Sequence, residues 1–519
     1  MVDKAPSGTN DRLKNFKDNF LARCKDNTTK RWIRFSAVAI IYTLWVVWLG
    51  NYWFLLGLPL LFDIYITGYI PFSWWRTSKS KMVRSVMSWV DAIVYALILV
   101  YFIFNFLGQN YMIPSSSLEK TLLTGDYLLV EKVTYGPRVP MTPVHFPLAH
   151  NTMPVIGGDS YADWPQNGYR RLSGTGQIER GDIVVFNFPY GDTIVSNEER
   201  LAAQGQVNVY YDIARDIERN GVAEDGAAFI KSNPEVFGEV RYRPVDRRTN
   251  YVKRCVGLPG DTFKVVHDTI YANGRALPTP VNSQQRQIVA LSRPLTDDDR
   301  AKYRITNEDM AYSGFSPEET PHMQAYLRLP ANTPIYKLPL SLATIEQMRA
   351  DGLLISNLKY NDYLRRIGHP DLFRGIFNPR PLWTPSDWGG DGVVIPFRGL
   401  TIPLTEDNWT LYERCIRNYE GHNDYYFTDG KVLDGQGNEV KEYTFAMDYY
   451  MMMGDNRDNS SDSRFWGFVP EDHIVGRPLI VLISFDPDKG LFSNIRWSRM
   501  FSNPNPDKAA FKAFEKGID

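Results

Sequence analysis

Cysteine is scarce in this chain, with only Cys24, Cys255 and Cys415 among 519 residues. Thiols so few and so scattered exclude a disulfide framework, and Cys255 and Cys415 are expected to stay as buried free thiols rather than to bridge. Histidine is also scarce: the seven residues show no H-E-x-x-H spacing and the cysteines no C-x-x-C, so no metal and no cofactor are expected. An excess of one sign of charge is missing too. The formal net charge is −1, which gives no nucleic-acid footprint and no acidic tail. No internal repeat stands out, so a solenoid or propeller is excluded, and the length calls for roughly two to four folding units.

Aromatic and apolar residues are plentiful. Aromatics reach 14%, with 13 Trp and 30 Tyr, a surplus suited to a lipid interface. Three apolar runs lie near the start: 35–49 (FSAVAIIYTLWVVWL), 52–70 (YWFLLGLPLLFDIYITGYI) and 90–107 (VDAIVYALILVYFIFNFL). The first two cannot form one helix, which would be far longer than the ~30 Å hydrocarbon core, so a hairpin breaking at Gly50-Asn51 is expected. Lys25, Lys30, Arg31 and Arg34 precede the first run, and Arg76, Lys79, Lys81 and Arg84 separate the second from the third. Both basic flanks read as cytoplasmic, which sends everything from Gln109 onward to the outer side. Asp63 inside the second run is costly in lipid and calls for either a partner or a shallow re-entrant hairpin.

Beyond Gln109 the pattern is that of a mainly β domain. Strands are expected at 127–133, 182–188, 251–258, 262–274 and 449–455, with hairpin turns at His267 to Thr269, Asn273-Gly274 and Asp429-Gly430. The expected organisation is a cytoplasmic segment (1–34), a membrane hairpin (35–70), a cytoplasmic loop (71–89) and a membrane helix (90–107). An antiparallel β domain then runs over 109–274 and 442–519, interrupted by an inserted α+β cap at 275–441. Helical stretches are expected near 297–310, 341–351 and 407–418 of the cap.

Three segments carry chemistry. The first is YMIPSSSLEKTLLTGDYLLVEK (111–132), three serines just past the third apolar run. Alone it also reads as a Ser-rich linking turn; as a catalytic segment it needs a base, because a serine hydroxyl is a poor nucleophile at neutral pH. The second is YVKRCVGLPGD (251–261), where Lys253 lies in an apolar strand that would disfavour its ammonium form. Its other reading is a lysine that snorkels to solvent. The third is GDNRDNSSDSRFWGFVPEDHIVGRP (454–478), dense in Asx and Ser, which suits either an orienting turn or a solvated loop.

Together with RGDIVVF (180–186), and in this order behind a membrane anchor, these segments resemble bacterial type I signal peptidase, the leader peptidase family. The resemblance implies an endopeptidase that removes signal peptides from secretory preproteins after an Ala-X-Ala sequence, held at the outer, periplasmic face of the cytoplasmic membrane near lipid and the secretion translocon. It implies Ser117 as nucleophile and Lys253 as general base. The Ser117 N–H and the Ser115 hydroxyl would be oxyanion donors, Ser460 would hydrogen-bond the lysine, and Asp462 would support that loop. Arg254 and Asp455 would form a structural ion pair. Ile113, Pro114, Leu118, Leu122, Tyr251 and Val252 would line the substrate cleft. The chain departs from the family pattern where Ser116 replaces a glycine and Leu118 a methionine.

Two rival readings follow from the same residues. Ser117-Leu118-Glu119-Lys120 fits the S-x-x-K of penicillin-binding enzymes, but S-D-N and K-T-G partners are absent from the chain. A catalytically inactive, membrane-anchored scaffold that keeps the fold is the other. At the C-terminus NIRWSRMF (494–501) suits either contact with lipid headgroups or a packed surface strand.

Overall fold

The computed structural model describes residues 19–24, 28–50, 52–153, 158–197, 209–219, 221–368, 383–490 and 493–517. It divides into two compact units, one ending at Phe102 and the other running from Ile103 to the C-terminus.

The first unit is helical. Helix α1 spans Thr29–Leu49 and closes on Gly50 in the left-handed region (φ 64°), the conformation for which glycine is the default C-terminal cap. Helix α2 spans Lys81–Phe102, and its apolar stretch runs on through a π turn at Ile103–Leu107. Both are long and apolar enough to cross a membrane, with only 11% and 6% of their apolar windows buried. Most of their large side chains face outward, as at Ile41, Leu44, Trp89 and Tyr95, although Val46 and Leu49 of α1 are buried. Both helices begin before the apolar runs read from the sequence, because Thr29 to Arg34 and Lys81 to Trp89, which mix basic and apolar residues, continue the helical turn.

The second apolar run is not one regular helix. It is a broken segment: a 3₁₀ turn at Tyr52–Leu56, an α turn at Gly57–Phe62 and a π turn at Asp63–Thr67, roughly 25 Å in all. Pro59 lacks an N–H to continue a regular ladder, and Gly68 (φ 58°) ends the segment. Asp63 has local partners: its carboxylate accepts from Thr67 Oγ1 (2.6 Å) and from the N–H groups of Tyr69 (2.7 Å) and Ile70 (2.9 Å).

The second unit is built on a curled seven-stranded antiparallel sheet. Its strands are β1 Gly108–Met112, β2 Asp126–Glu131, β3 Ile183–Asn187, β4 Asn250–Gly257, β5 Tyr449–Met453, β6 Val469–Pro470 and β7 Ile474–Ser484, in the order β1-β2-β7-β3-β4-β5-β6. β3 pairs with β4 so that Val184 faces Lys253 and Ile183 faces Arg254. The two-residue period of β4 therefore sends Val252 and Arg254 to one face and Tyr251, Lys253 and Cys255 to the other. Ile113, Leu118, Leu122, Leu128, Ile183 and Val481 pack on the first face; Val184, Phe186, Cys255, Met452 and Trp466 pack on the second. The expected hairpin turns form, with left-handed residues at His267-Asp268, Asn273-Gly274 and Asp429-Gly430.

The stretch 275–441, expected as one cap, contributes to two cores. A three-stranded sheet (Gln284–Leu291, Ile335–Ser341, Leu354–Lys359) and its helices bury Val289, Leu291, Tyr303, Leu338, Ile345 and Met348 among themselves. Trp388, Val393, Ile395, Trp409 and Ile416 instead join Phe263, Val265, Phe445, Met451 and Met453 in a separate core. The segment 494–501 forms a 3₁₀ turn at Trp497–Arg499 rather than a strand, with Trp497 and Phe501 exposed. Cys255 and Cys415 are buried free thiols.

Candidate active site

The serine run sits where β1 turns back to β2. Ser116–Leu118 form a single 3₁₀ turn, entered through an extended Ser115 (φ −135°, ψ 158°) and anchored below by the fully buried Leu118 and Leu122. Ser117 thus lies in the first turn of a helix, where N–H groups have no acceptor within the helix and point outward. Across from it, β4 presents Lys253, and Nζ lies 2.7 Å from Ser117 Oγ. Both residues are buried.

Burial pushes the Lys253 ammonium down to about 8. Asp462 and Asp455 act against that, and Arg464 adds to it. The lysine is therefore neutral for much of the time in mildly alkaline water. Among the described residues no histidine takes part in the Ser117 contact.

The 454–464 loop closes the site. Gly454 is there because nothing larger fits: a Cβ would fall 2.3 Å from Ser460 Oγ and 2.6 Å from the Ser117 carbonyl oxygen. Asn456 donates from its N–H to Ser117 O and from Nδ2 to Ser116 O, both at 3.1 Å. These two bonds hold the Ser116-Ser117 peptide and so aim the Ser117 N–H. Asp462 accepts from the Gly454 N–H (3.1 Å) and grips Arg464 through Nε (2.9 Å) and Nη2 (2.8 Å). Arg254 pairs with Asp455 through two bonds of 2.8 and 2.7 Å, and Thr121 Oγ1 donates to the same carboxylate at 2.8 Å. Burial favours the neutral acid at Asp455, but the Arg254 guanidinium outweighs it and keeps the carboxyl below its ordinary range.

Two expected placements differ. Ser460 does not bond Lys253; its hydroxyl is buried against Gly454 and has no hydrogen-bond partner among the described residues. Leu118, Leu122 and Ile113 do not line a cleft, since all three are buried in the core beneath the serine turn. Pro114 and Ser115 are exposed, while Tyr251 and Val252 are half-buried beside the dyad, with Tyr251 stacked on Phe188 at 4.3 Å between ring centroids.

Sequence reasoning missed a contact from the inserted sheet unit. Ser116, in place of the family's glycine, donates through Oγ to Glu308 Oε1 (2.9 Å) and accepts from Asn459 Nδ2 (2.8 Å). Glu308 lies 192 residues away, in the short helix Asn307–Ala311, so no local pattern could have found it. A second tie joins Lys120 Nζ to Thr344 Oγ1 at 3.2 Å.

Against this geometry, a family model described as signal peptidase, peptidase S26, matches residues 86–311 and 389–483, more than half of the chain. The chain belongs to the S26 signal peptidase family. It is accordingly a serine endopeptidase, and the two apolar helices associate it with a membrane. It is 22% identical to Signal peptidase I of Haemophilus influenzae over 426 residues, covering 82% of this chain and 78% of that protein. Signal peptidase I of Buchnera aphidicola subsp. Baizongia pistaciae is 20% identical over 415 residues, 79% of this chain and 81% of the relative. A short block is closer: 36 residues are 61% identical to Signal peptidase I of Aquifex aeolicus, 7% of this chain and 14% of the relative. The family match breaks between 311 and 389, within the stretch read as inserted.

Proposed function

We propose that this chain is a membrane-anchored signal peptidase that cuts signal peptides from secretory preproteins after small residues, with Ser117 as nucleophile and Lys253 as general base. The observation that carries the reading is the 2.7 Å contact between a buried serine hydroxyl and a buried lysine amine whose ammonium form is disfavoured. Neutral Lys253 takes the Ser117 proton as Oγ attacks the scissile carbonyl. The developing oxyanion is met by the Ser117 N–H, aimed by Asn456, and by the hydroxyl of exposed Ser115, which is free to turn toward it. The Lys253 ammonium then gives its proton to the leaving amine, and the acyl-enzyme is hydrolysed by the reverse relay. Ser460 is the group we assign to receive the ammonium once the serine is acylated, since its buried hydroxyl is still without a partner.

Tyr251 and Val252 are proposed as one wall of the substrate cleft. With Leu118 and Leu122 in the core beneath it, the floor is filled and only small side chains can settle on it, which supports cleavage after an Ala-X-Ala sequence. The catalytic unit is proposed to lie on the outer face of the bacterial cytoplasmic membrane, where emerging preproteins and the translocon are met, with Trp497 and Phe501 touching headgroups.

The test incubates detergent-solubilised full-length protein with a secretory preprotein. Ser117→Ala and Lys253→Ala are each expected to lose at least ~10³-fold in cleavage rate while remaining folded. Cleavage by both variants at the wild-type rate would overturn the dyad.

A further inference from the structure

A cavity of about 340 Å³ opens beside the end of the α2 run, away from Ser117, and is lined by Phe104, Asn105 and Gln109. Its charged wall is almost all basic: Lys132, Arg138, Arg247, His145 and His150, against a single carboxylate, Asp246. We infer that this cavity binds the phosphoester headgroup of an anionic phospholipid. The inference rests on reading Lys81–Leu107 as a membrane span.

Two independent features support it. The first is charge. Asp246 accepts from the Thr142 N–H (2.8 Å) and Oγ1 (2.7 Å) and lies 3.8 Å from Arg247 Nε, so a single carboxylate of the lining stands against the basic groups. Four of the basic groups are pushed toward neutrality: burial, then Arg138 and Arg247, bring Lys132 down to about 7, opposed by Asp246 and aided by Arg171. Burial likewise lowers Arg138 and His150 and takes His145 down to about 4. In each case burial is the larger cause and repulsion between neighbouring cations adds to it, and an anion seated among them offsets both. The cations are also fixed in place, since Lys132 Nζ donates to Phe104 O (2.5 Å) and Arg138 Nη2 to Asn187 Oδ1 (2.8 Å).

The second feature is depth. Gln109, Asn110 and Tyr111 line the cavity two to four residues after Leu107 ends the apolar run, which sets the mouth at the level of lipid phosphates. At the rim Leu148 is 60% exposed, and Val144 in the same loop is 53% exposed. Such residues suit the glycerol and first acyl carbons of a lipid, whereas a free anion has no use for them.

The experiment titrates the full-length protein, in uncharged detergent at pH 7, with dihexanoyl phosphatidylglycerol, dihexanoyl phosphatidylcholine and inorganic phosphate, by calorimetry in two buffers of different ionisation heat. Saturable binding of phosphatidylglycerol is expected, at least tenfold tighter than of the other two, with proton uptake as Lys132 becomes charged. The double variant Lys132→Gln/Arg247→Gln is expected to weaken binding at least tenfold and to lose the proton uptake. Asp246→Asn is expected to tighten it severalfold, a gain that misfolding cannot imitate. Equal binding by wild type and double variant, phosphate binding as tight as lipid, or weaker binding by Asp246→Asn would each overturn the assignment. Alkaline carbonate extraction of membranes checks the anchor separately: retention supports it, and release of the chain overturns the span on which the inference rests, whatever the titration gives.

Discussion

At the scale of single residues, the proposed chemistry depends on Lys253 being neutral. Its pKa falls from 10.5 to about 8 in the folded chain. Protonating the folded site below that pH therefore costs about 3 kcal/mol relative to the unfolded chain. Because the unfolded chain binds the extra proton between about 8 and 10.5, this lysine makes stability rise with pH across that window. Activity should follow the same group: kcat/KM is expected to rise about tenfold per pH unit up to about 8 and then level, as read with a preprotein substrate at fixed ionic strength. A profile flat from pH 6 to 9 would sink the general-base role. Lys253→Arg should be inactive at every pH, because a guanidinium does not deprotonate in this range. Ser460→Ala is expected to lower kcat at least tenfold with KM unchanged, since its proposed contact is made only after proton transfer. Ser117 and Lys253 were legible because hydroxyl and base must be of those types and their segments are continuous. The burial of Leu118 and Leu122 was not, since an apolar residue beside a nucleophile reads the same whether it lines a cleft or roots the turn.

At the scale of elements, strand period and turn chemistry carried most of what was read correctly: β2, β3, β4 and β5 fall within a residue or two of their apolar runs. What escaped is long-range. The division of 275–441 between two cores depends on which faces meet in space, and helices near 297–310 and 342–350 look alike whichever core they join. The Glu308–Ser116–Asn459 contact is of this kind, and it ties an inserted element to the residue next to the nucleophile. Glu308→Ala is expected to lower kcat several-fold, and Ser116→Gly to do the same, with the pair no worse than either alone. In free energy that is a coupling of about 1 kcal/mol in a double-mutant cycle. Additive losses would separate Glu308 from the serine turn. The Arg254–Asp455 pair is a different case, because both groups are fully buried and bind loop to strand. Arg254→Gln leaves a carboxylate buried without its main partner, and roughly 3 to 5 kcal/mol of stability should be lost in a denaturant titration.

At the scale of the whole molecule, the proposed outer placement of the catalytic unit depends on how the two long helices and the segment between them cross the membrane. α1 and α2 are each long enough to cross, and the broken segment 52–67 between them reaches roughly 25 Å, a few Å short of a ~30 Å core. If that segment stays on one side, the N-terminus and the basic loop around Arg76 and Lys79 lie on opposite faces. If it returns across a locally thinned bilayer, both lie in the cytoplasm, as their lysines and arginines favour. Asp63 speaks for the return: its three local donors, with the charge of Arg23, satisfy the carboxylate, so it can travel near the interface. Because Cys255 and Cys415 are buried, thiol labelling of intact cells can decide the matter with Cys24 as a native reporter. Lys79→Cys and Cys24 are expected to react only after permeabilisation, and Asp298→Cys, on an exposed helix, without it. Labelling of Cys24 in intact cells would show that 52–67 does not cross. Protection of Asp298→Cys would overturn the outer placement of the catalytic unit itself, and with it the meeting of Ser117 with a translocated signal peptide.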